Sequence, residues 1–146
     1  MKGTYCLIIE LKKDSKIKVG SLGFINFKKG FYIYVGSAMS SLESRVKRHL
    51  SSSKKKHWHI DYLLLNSNSQ IIDVIFNISD SKIECDLAKY ILNDGLVVEN
   101  FGSSDCKCIS HLIYFENKNN SLQIAKESFN KLDKTFHNLN YFKENF

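Results

Sequence analysis

The hydrophobic period of this chain changes near residue 40. Before that point, apolar and aromatic residues come in short β-rich runs. Residues 5–11 open a strand, 12–16 turn it back, and 17–19 and 22–27 are two further strand-like pieces. Lys28-Lys29-Gly30 reads as a turn, and residues 31–36 as another strand. The chain has no proline, so its turns fall to Gly, Asn, Asp and Ser. The first 36 residues therefore predict an antiparallel meander. From Ser40 onward the spacing becomes helical. Ser40 and Glu43 form a capping-box pattern, and Leu42, Val46 and Leu50 recur every four residues as a buried stripe. Further helices are predicted over 57–65 and 82–93, and strands over 71–76, 96–99 and 111–115. Leu122, Ala125, Phe129, Leu132 and Phe136 mark one face of a terminal helix. The fold class is α+β: a small, mainly antiparallel central sheet flanked by helices, in a single domain over 1–146.

A chain that is 43% apolar and 25% charged is globular rather than disordered. Its longest uninterrupted apolar runs, 5–9 and 31–35, are far too short for a membrane span or a signal-peptide core. No membrane partner is expected. The four cysteines then read as reduced thiols, and the location as cytoplasmic. Charge is unevenly placed: residues 1–73 carry a net +8 and residues 74–146 a net −2. A basic half points to a polyanion, nucleic acid before membrane, although a solvated lysine surface explains the charge equally well. Among 21 basic residues only two are arginine, Arg45 and Arg48. Against a lysine-rich background, two neighbouring arginines invite a chemical reason.

Angular bookkeeping on the helix over 82–93 singles out Glu84. At about 100° per residue, Ile83, Leu87, Ala88, Ile91 and Leu92 form one apolar arc, and Glu84 falls inside it. A carboxylate there must be paired, neutralised or metal-bound. If metal-bound, it suits a hard cation such as Mg²⁺. Arg45 and His49, four residues apart, share a face of the helix after Ser40, and Arg48 lies on a neighbouring edge. Gly36 lets the preceding strand end sharply or lets a backbone approach closely. An arginine held there can fork onto a phosphate. Lys54, Lys55 and Lys56 either track a nucleic-acid backbone or form a helix-end lysine loop. His57, His59 and Asp61 also suggest a metal site: on a helix His57 and Asp61 share a face and His59 points elsewhere, on a strand all three align, and His57 is the one favoured for a direct role. Trp58 reads as a packing residue rather than a base-stacking platform.

Together these residues resemble the GIY-YIG nucleases. The resemblance rests on Gly3-Thr4-Tyr5, Tyr34-Val35-Gly36, Leu42-Glu43-Ser44-Arg45, His49 and the inward Glu84. The fuller string, with His57-Trp58-His59-Ile60-Asp61-Tyr62-Leu63, Glu84-Cys85 and Phe101-Gly102-Ser103-Ser104-Asp105-Cys106, looks closest to an uncharacterised prokaryotic branch, sometimes fused to base-excision endonucleases. Tyr5 and Tyr34 are 29 residues apart, longer than in most of that family, so an extra hairpin is expected between them. The resemblance implies a small antiparallel sheet flanked by helices and one divalent metal, Mg²⁺ or Mn²⁺, held by Glu84. It implies that Arg45 stabilises the pentavalent phosphorus and that Tyr5 aligns or deprotonates water, with Tyr34 and His49 assisting. Gly36, Arg48, Lys54, Lys55, Lys56 and His57 are the expected nucleic-acid contacts.

The expected function is thus metal-dependent cleavage of phosphodiesters in DNA, in a repair setting and with a DNA-repair protein as a possible partner. The alternative is a nucleic-acid-binding module with weak or no cleavage. A partner-docking domain ranks last, because it leaves Tyr5, Tyr34, Arg45 and Glu84 without a purpose. Cys106, Cys108 and His111, with or without Cys85, are the candidates for zinc. C-x-C-x-x-H is not a common zinc spacing, and the family fold needs no zinc.

Overall fold

The computed structural model describes residues 1–103 and 108–146. Its strands are β1 (Gly3–Leu11), β2 (Ser15–Lys18), β3 (Phe24–Phe27), β4 (Gly30–Ala38), β5 (Ser69–Ile78), β6 (Leu96–Val97) and β7 (Leu112–Phe115). Its helices are α1 (Leu42–Leu50), α2 (His59–Leu64), α3 (Glu84–Leu92), α4 (Lys118–Lys131) and α5 (Leu139–Asn145). Five strands form one antiparallel sheet in the order β5-β1-β4-β7-β6, and β2 and β3 pair separately. The α+β class is as expected. The meander is not: β1 pairs directly with β4, from Gly3↔Ala38 to Leu11↔Gly30. The intervening β2–β3 segment is the extra hairpin expected from the long Tyr5-to-Tyr34 spacing, but it stands outside the main sheet.

Both faces of the sheet are covered, which explains the continuous apolar run at the heart of β1. Tyr5, Leu7, Ile9 and Leu11 point to one side, with Tyr32 and Tyr34 of β4. There they pack with Leu42 and Val46 of α1, Ile60 and Leu63 of α2, and Phe142 of α5. Cys6 and Ile8 point to the other side with Ile33 and Val35, against Leu87, Ala88 and Ile91 of α3 and Ile124, Ala125 and Phe129 of α4. Fully burying one such large side chain contributes roughly 1.5–3 kcal/mol. The outer edge of β5 is partly closed by a backbone bridge between Phe76 and His137.

Several boundaries differ from the sequence reading. The N-cap of α1 is Ser41, not Ser40: its Oγ accepts from the Ser44 N–H at 3.1 Å. Glu43 therefore sits one position too early for a capping box and pairs with Lys47 on the exposed surface instead. The second helix begins at His59 rather than 57, because Asp61 accepts from the N–H groups of His57 and Trp58 and ends the preceding loop there. The predicted terminal helix is two. After α4, Asp133 takes a positive φ of 56°, so Phe136 packs from a loop and a second helix follows, capped by Asn138. Among the described residues, no helix is long and apolar enough to cross a membrane.

Candidate functional site

A cavity of about 340 Å³ opens where β1, β4, α1, the start of α2 and the start of α3 meet. Tyr5, Tyr34, Gly36, Arg45, His57 and Glu84 line it, as do Ser37, Trp58, His59, Gly102 and His111. Residues from positions 5 to 111 thus converge on one concave surface.

Tyr5 projects from the middle of β1 and is buried. Its Oη is hydrogen-bonded to Nε2 of His49 at 2.7 Å, across 44 residues of sequence. Burial pushes the Tyr5 phenol well above its ordinary range, and the nearby Arg45 guanidinium pulls against that. Tyr34 is raised too, first by burial and then by Tyr5 and Glu84. His49 is held neutral, its pKa lowered to about 3 by burial and then by Lys54. A neutral imidazole against a protonated phenol gives the site a proton-transfer pair shielded from solvent. Gly36 makes this possible through close approach, the second of the two roles expected for it. The strand does not end there but runs on to Ala38, with Gly36 opposite Tyr5 in register. A methyl group at Gly36 would lie 2.5 Å from the Tyr5 ring. The missing side chain is what admits the aromatic ring.

Arg45 and Arg48 both lie over the ring of Trp58, at 4.5 and 4.3 Å from its centre. Beyond that shared platform they differ. Arg45 gives one N–H to the Ser37 carbonyl at 3.0 Å and faces the cavity. Arg48 forks onto both oxygens of the buried Asp61 at 2.8 Å and also donates to the Lys55 carbonyl. Asp61 in turn is held down at a pKa of about 2 despite its burial, by Arg48 and by the two N–H groups it accepts. Arg48 therefore braces α1 against α2 rather than presenting a free fork. Lys54 is similarly occupied: its ammonium donates to the carbonyls of Arg48 and His49 and caps the C-terminus of α1. That is the helix-end role. Lys55 and Lys56 are exposed, with Lys56 over the ring of Tyr62, and His57 is exposed at the cavity rim.

Glu84 is the first residue of α3, on the pocket side of the helix, with its side chain 25% exposed. Its Oε1 lies 3.2 Å from Nδ1 of His111. Burial lowers the pKa of His111, which favours the neutral ring donating Nδ1–H to the carboxylate. One carboxylate at a polar, water-accessible mouth suits Mg²⁺ or Mn²⁺, which bind through few protein oxygens and keep several waters. A second possibility for metal lies beside it. Cys85, Cys108 and His111 bring their ligand atoms within 4.8 Å of one another, a group that could hold a metal ion. Ser104, Asp105 and Cys106 of the quoted motif fall outside the described residues.

Residues 4–134 match the family model described as Domain of unknown function DUF123. The chain belongs to that family. No curated protein and no solved structure matches the chain. The matched stretch of this DUF123 chain contains every residue that lines the cavity.

Besides Trp58, which the sequence reading took for packing, His59 is a described site residue that it set aside. The N–H of Gly102 donates to its Nδ1 at 2.9 Å, across 43 residues. Burial lowers its pKa, so the neutral tautomer carries its proton on Nε2 and offers a donor to the cavity. Gly102 takes a φ of 69°, where a side chain would be strained, and so aims its N–H at the ring. The glycine in Phe101-Gly102-Ser103 was the one signal available. Its partner could not be read from local spacing.

Proposed function

We propose that this chain is a divalent-metal-dependent endonuclease of GIY-YIG type that hydrolyses phosphodiester bonds in DNA, in a repair setting. The observation that carries the proposal is the convergence of Tyr5, Tyr34, Arg45 and Glu84 on one cavity, with His49 directly behind Tyr5. A binding surface has no need for two buried phenols, a fixed guanidinium and a carboxylate facing one another.

Glu84 would hold Mg²⁺ or Mn²⁺, which supplies charge neutralisation at a phosphoryl oxygen when bound. The protein's own groups do the rest. Arg45, fixed by Ser37 and Trp58, meets the negative charge that develops on the non-bridging oxygens. The neutral His49 can accept the Tyr5 proton, so the phenol oxygen orients a water and takes a proton from it without a free phenolate standing in the resting site. His59 offers Nε2–H to a phosphate or to the leaving oxygen. His57 lies at the exposed rim, where a strand backbone would pass, and the exposed Lys55 and Lys56 directly precede it in the chain.

The test is cleavage of nicked, branched and plasmid DNA with Mg²⁺ or Mn²⁺. Wild-type protein should cut at least one substrate. Glu84→Ala should be inactive, and Arg45→Ala should lose about 10²–10³-fold in rate. Wild-type protein that binds every substrate and cuts none would replace this proposal with the binding-module reading. Both variants cutting like wild type would overturn the site assignment.

A further inference from the structure

We propose that Cys85, Cys108 and His111 form a zinc site that is separate from the carboxylate site at Glu84. Cys85 is the second residue of α3, Cys108 lies in the segment between β6 and β7, and His111 immediately precedes β7. Cys85 is distant in sequence from Cys108 and His111, yet the three ligand atoms lie within 4.8 Å of one another. Cys85 and Cys108 are partly buried, and His111 is buried. In a tetrahedral zinc site with Zn–S near 2.3 Å and Zn–N near 2.0 Å, neighbouring ligand atoms sit roughly 3.5–3.8 Å apart. Closing the triangle takes a contraction of about 1 Å, within the reach of side-chain rotation.

The donor set decides which metal. Two thiolates and an imidazole are soft and borderline ligands; they select zinc and reject Mg²⁺, which binds oxygen. The pair Glu84 and His111 adds a second argument. His111 presents Nδ1 to the Glu84 carboxylate, which leaves Nε2 as its metal-binding nitrogen. A carboxylate on the far nitrogen is the usual way a protein orients and strengthens a zinc-bound histidine. The three described ligands leave one tetrahedral position to be filled from outside that set.

The consequence is mechanical. Zinc would clip the first turn of α3 to the segment entering β7, and so fix His111 and, through it, Glu84. The zinc site itself does not depend on the nuclease proposal, since its ligands are not the residues assigned to cleavage.

The experiment measures metal content and thiol reactivity. Untagged protein produced in zinc-supplemented medium is analysed by elemental mass spectrometry. Wild type should retain about one zinc per chain and the Cys85→Ser/Cys108→Ser variant less than about a tenth of that. Glu84→Gln should keep its zinc, because Glu84 is not a ligand. Replacement by Co²⁺ should give thiolate-to-cobalt charge-transfer absorption in wild type and none in the double variant. In wild type, zinc should protect Cys85 and Cys108 from alkylation until a chelator removes it; this reading needs no variant to fold. Wild type with no more zinc than the double variant, or thiols alkylated equally with and without zinc, would overturn the proposal. Zinc loss with intact Mg²⁺-dependent cleavage by wild type would overturn the zinc site alone. Full zinc content with no cleavage of any DNA would count against the nuclease proposal alone.

Discussion

The helices on the two sides of the central sheet differ in how they satisfy buried hydroxyls and charges, although on the α3–α4 side Asn77 also reaches the Thr135 carbonyl and Glu84 reaches His111. Under α3 and α4, the buried hydroxyls of Ser121 and Ser128 donate to carbonyls of their own helix, Lys118 and Ile124, three and four residues away. Under α1 and α2, buried or half-buried polar groups pair across the fold: Tyr5 with His49, Gly102 with His59, Arg48 with Asp61. Local pairing is packing chemistry, which any helix can satisfy. Long-range pairing costs ordering entropy and desolvation, so it persists where the geometry itself is useful. One side of the sheet holds the fold together, and the other spends stability on a site.

The largest expected effect breaks this comparison from the packing side. Phe129→Ala should cost about 3–5 kcal/mol in urea unfolding, as a large cavity in a tight apolar layer does. It should leave the native fluorescence of Trp58, the single tryptophan and a direct neighbour of Arg45 and Arg48, unchanged. A shifted native emission would mean that the two sides are mechanically coupled.

Next in size is Asp61→Ala. It removes the partner of Arg48 and the acceptor of two N–H groups, and should cost about 2–3 kcal/mol while also altering Trp58 emission. The sign in acid follows from its pKa of about 2, below the unfolded carboxylate value near 3.8. Its contribution is present above the unfolded value and is lost as pH falls toward 2. Wild type and Asp61→Ala should therefore converge in stability across that window, read by unfolding at graded pH.

The third effect is read as a slope with pH rather than as a single loss, and it concerns His49. Its folded pKa of about 3 lies below the unfolded value near 6.5. The unfolded chain thus binds the extra proton, and stability drops as pH falls from about 6.5, by at most about 1.4 kcal/mol per pH unit. In His49→Gln that part of the slope should vanish. An unchanged slope would mean that His49 is protonated in the folded protein, and the proton-transfer reading of the Tyr5–His49 pair would fail.

Much of the site was legible in the residues. Arg45 and His49 do share a helix face, and Glu84 does turn away from solvent toward other groups, because helical periodicity fixes such relations locally. What was not legible depends on partners far along the chain. Arg48 stood as an expected nucleic-acid contact beside Arg45 until Asp61, thirteen residues on, claimed its guanidinium. Lys54 looked like a phosphate contact until it met the carbonyls at the end of α1. Cys85 was only an optional companion of Cys108 and His111 until the fold brought the start of α3 to the segment before β7.

The extra hairpin between Tyr5 and Tyr34 was expected only from the family resemblance, and its detachment was not; by itself the sequence determined the class of fold and the apolar runs of β1 and β4. These follow from spacing, which acts over a few residues. Only the tertiary structure decided which of two arginines is free to meet a phosphate, which histidine tautomer faces the cavity, and which thiols stand together. Those outcomes depend on distances between segments, and burial sets their energies.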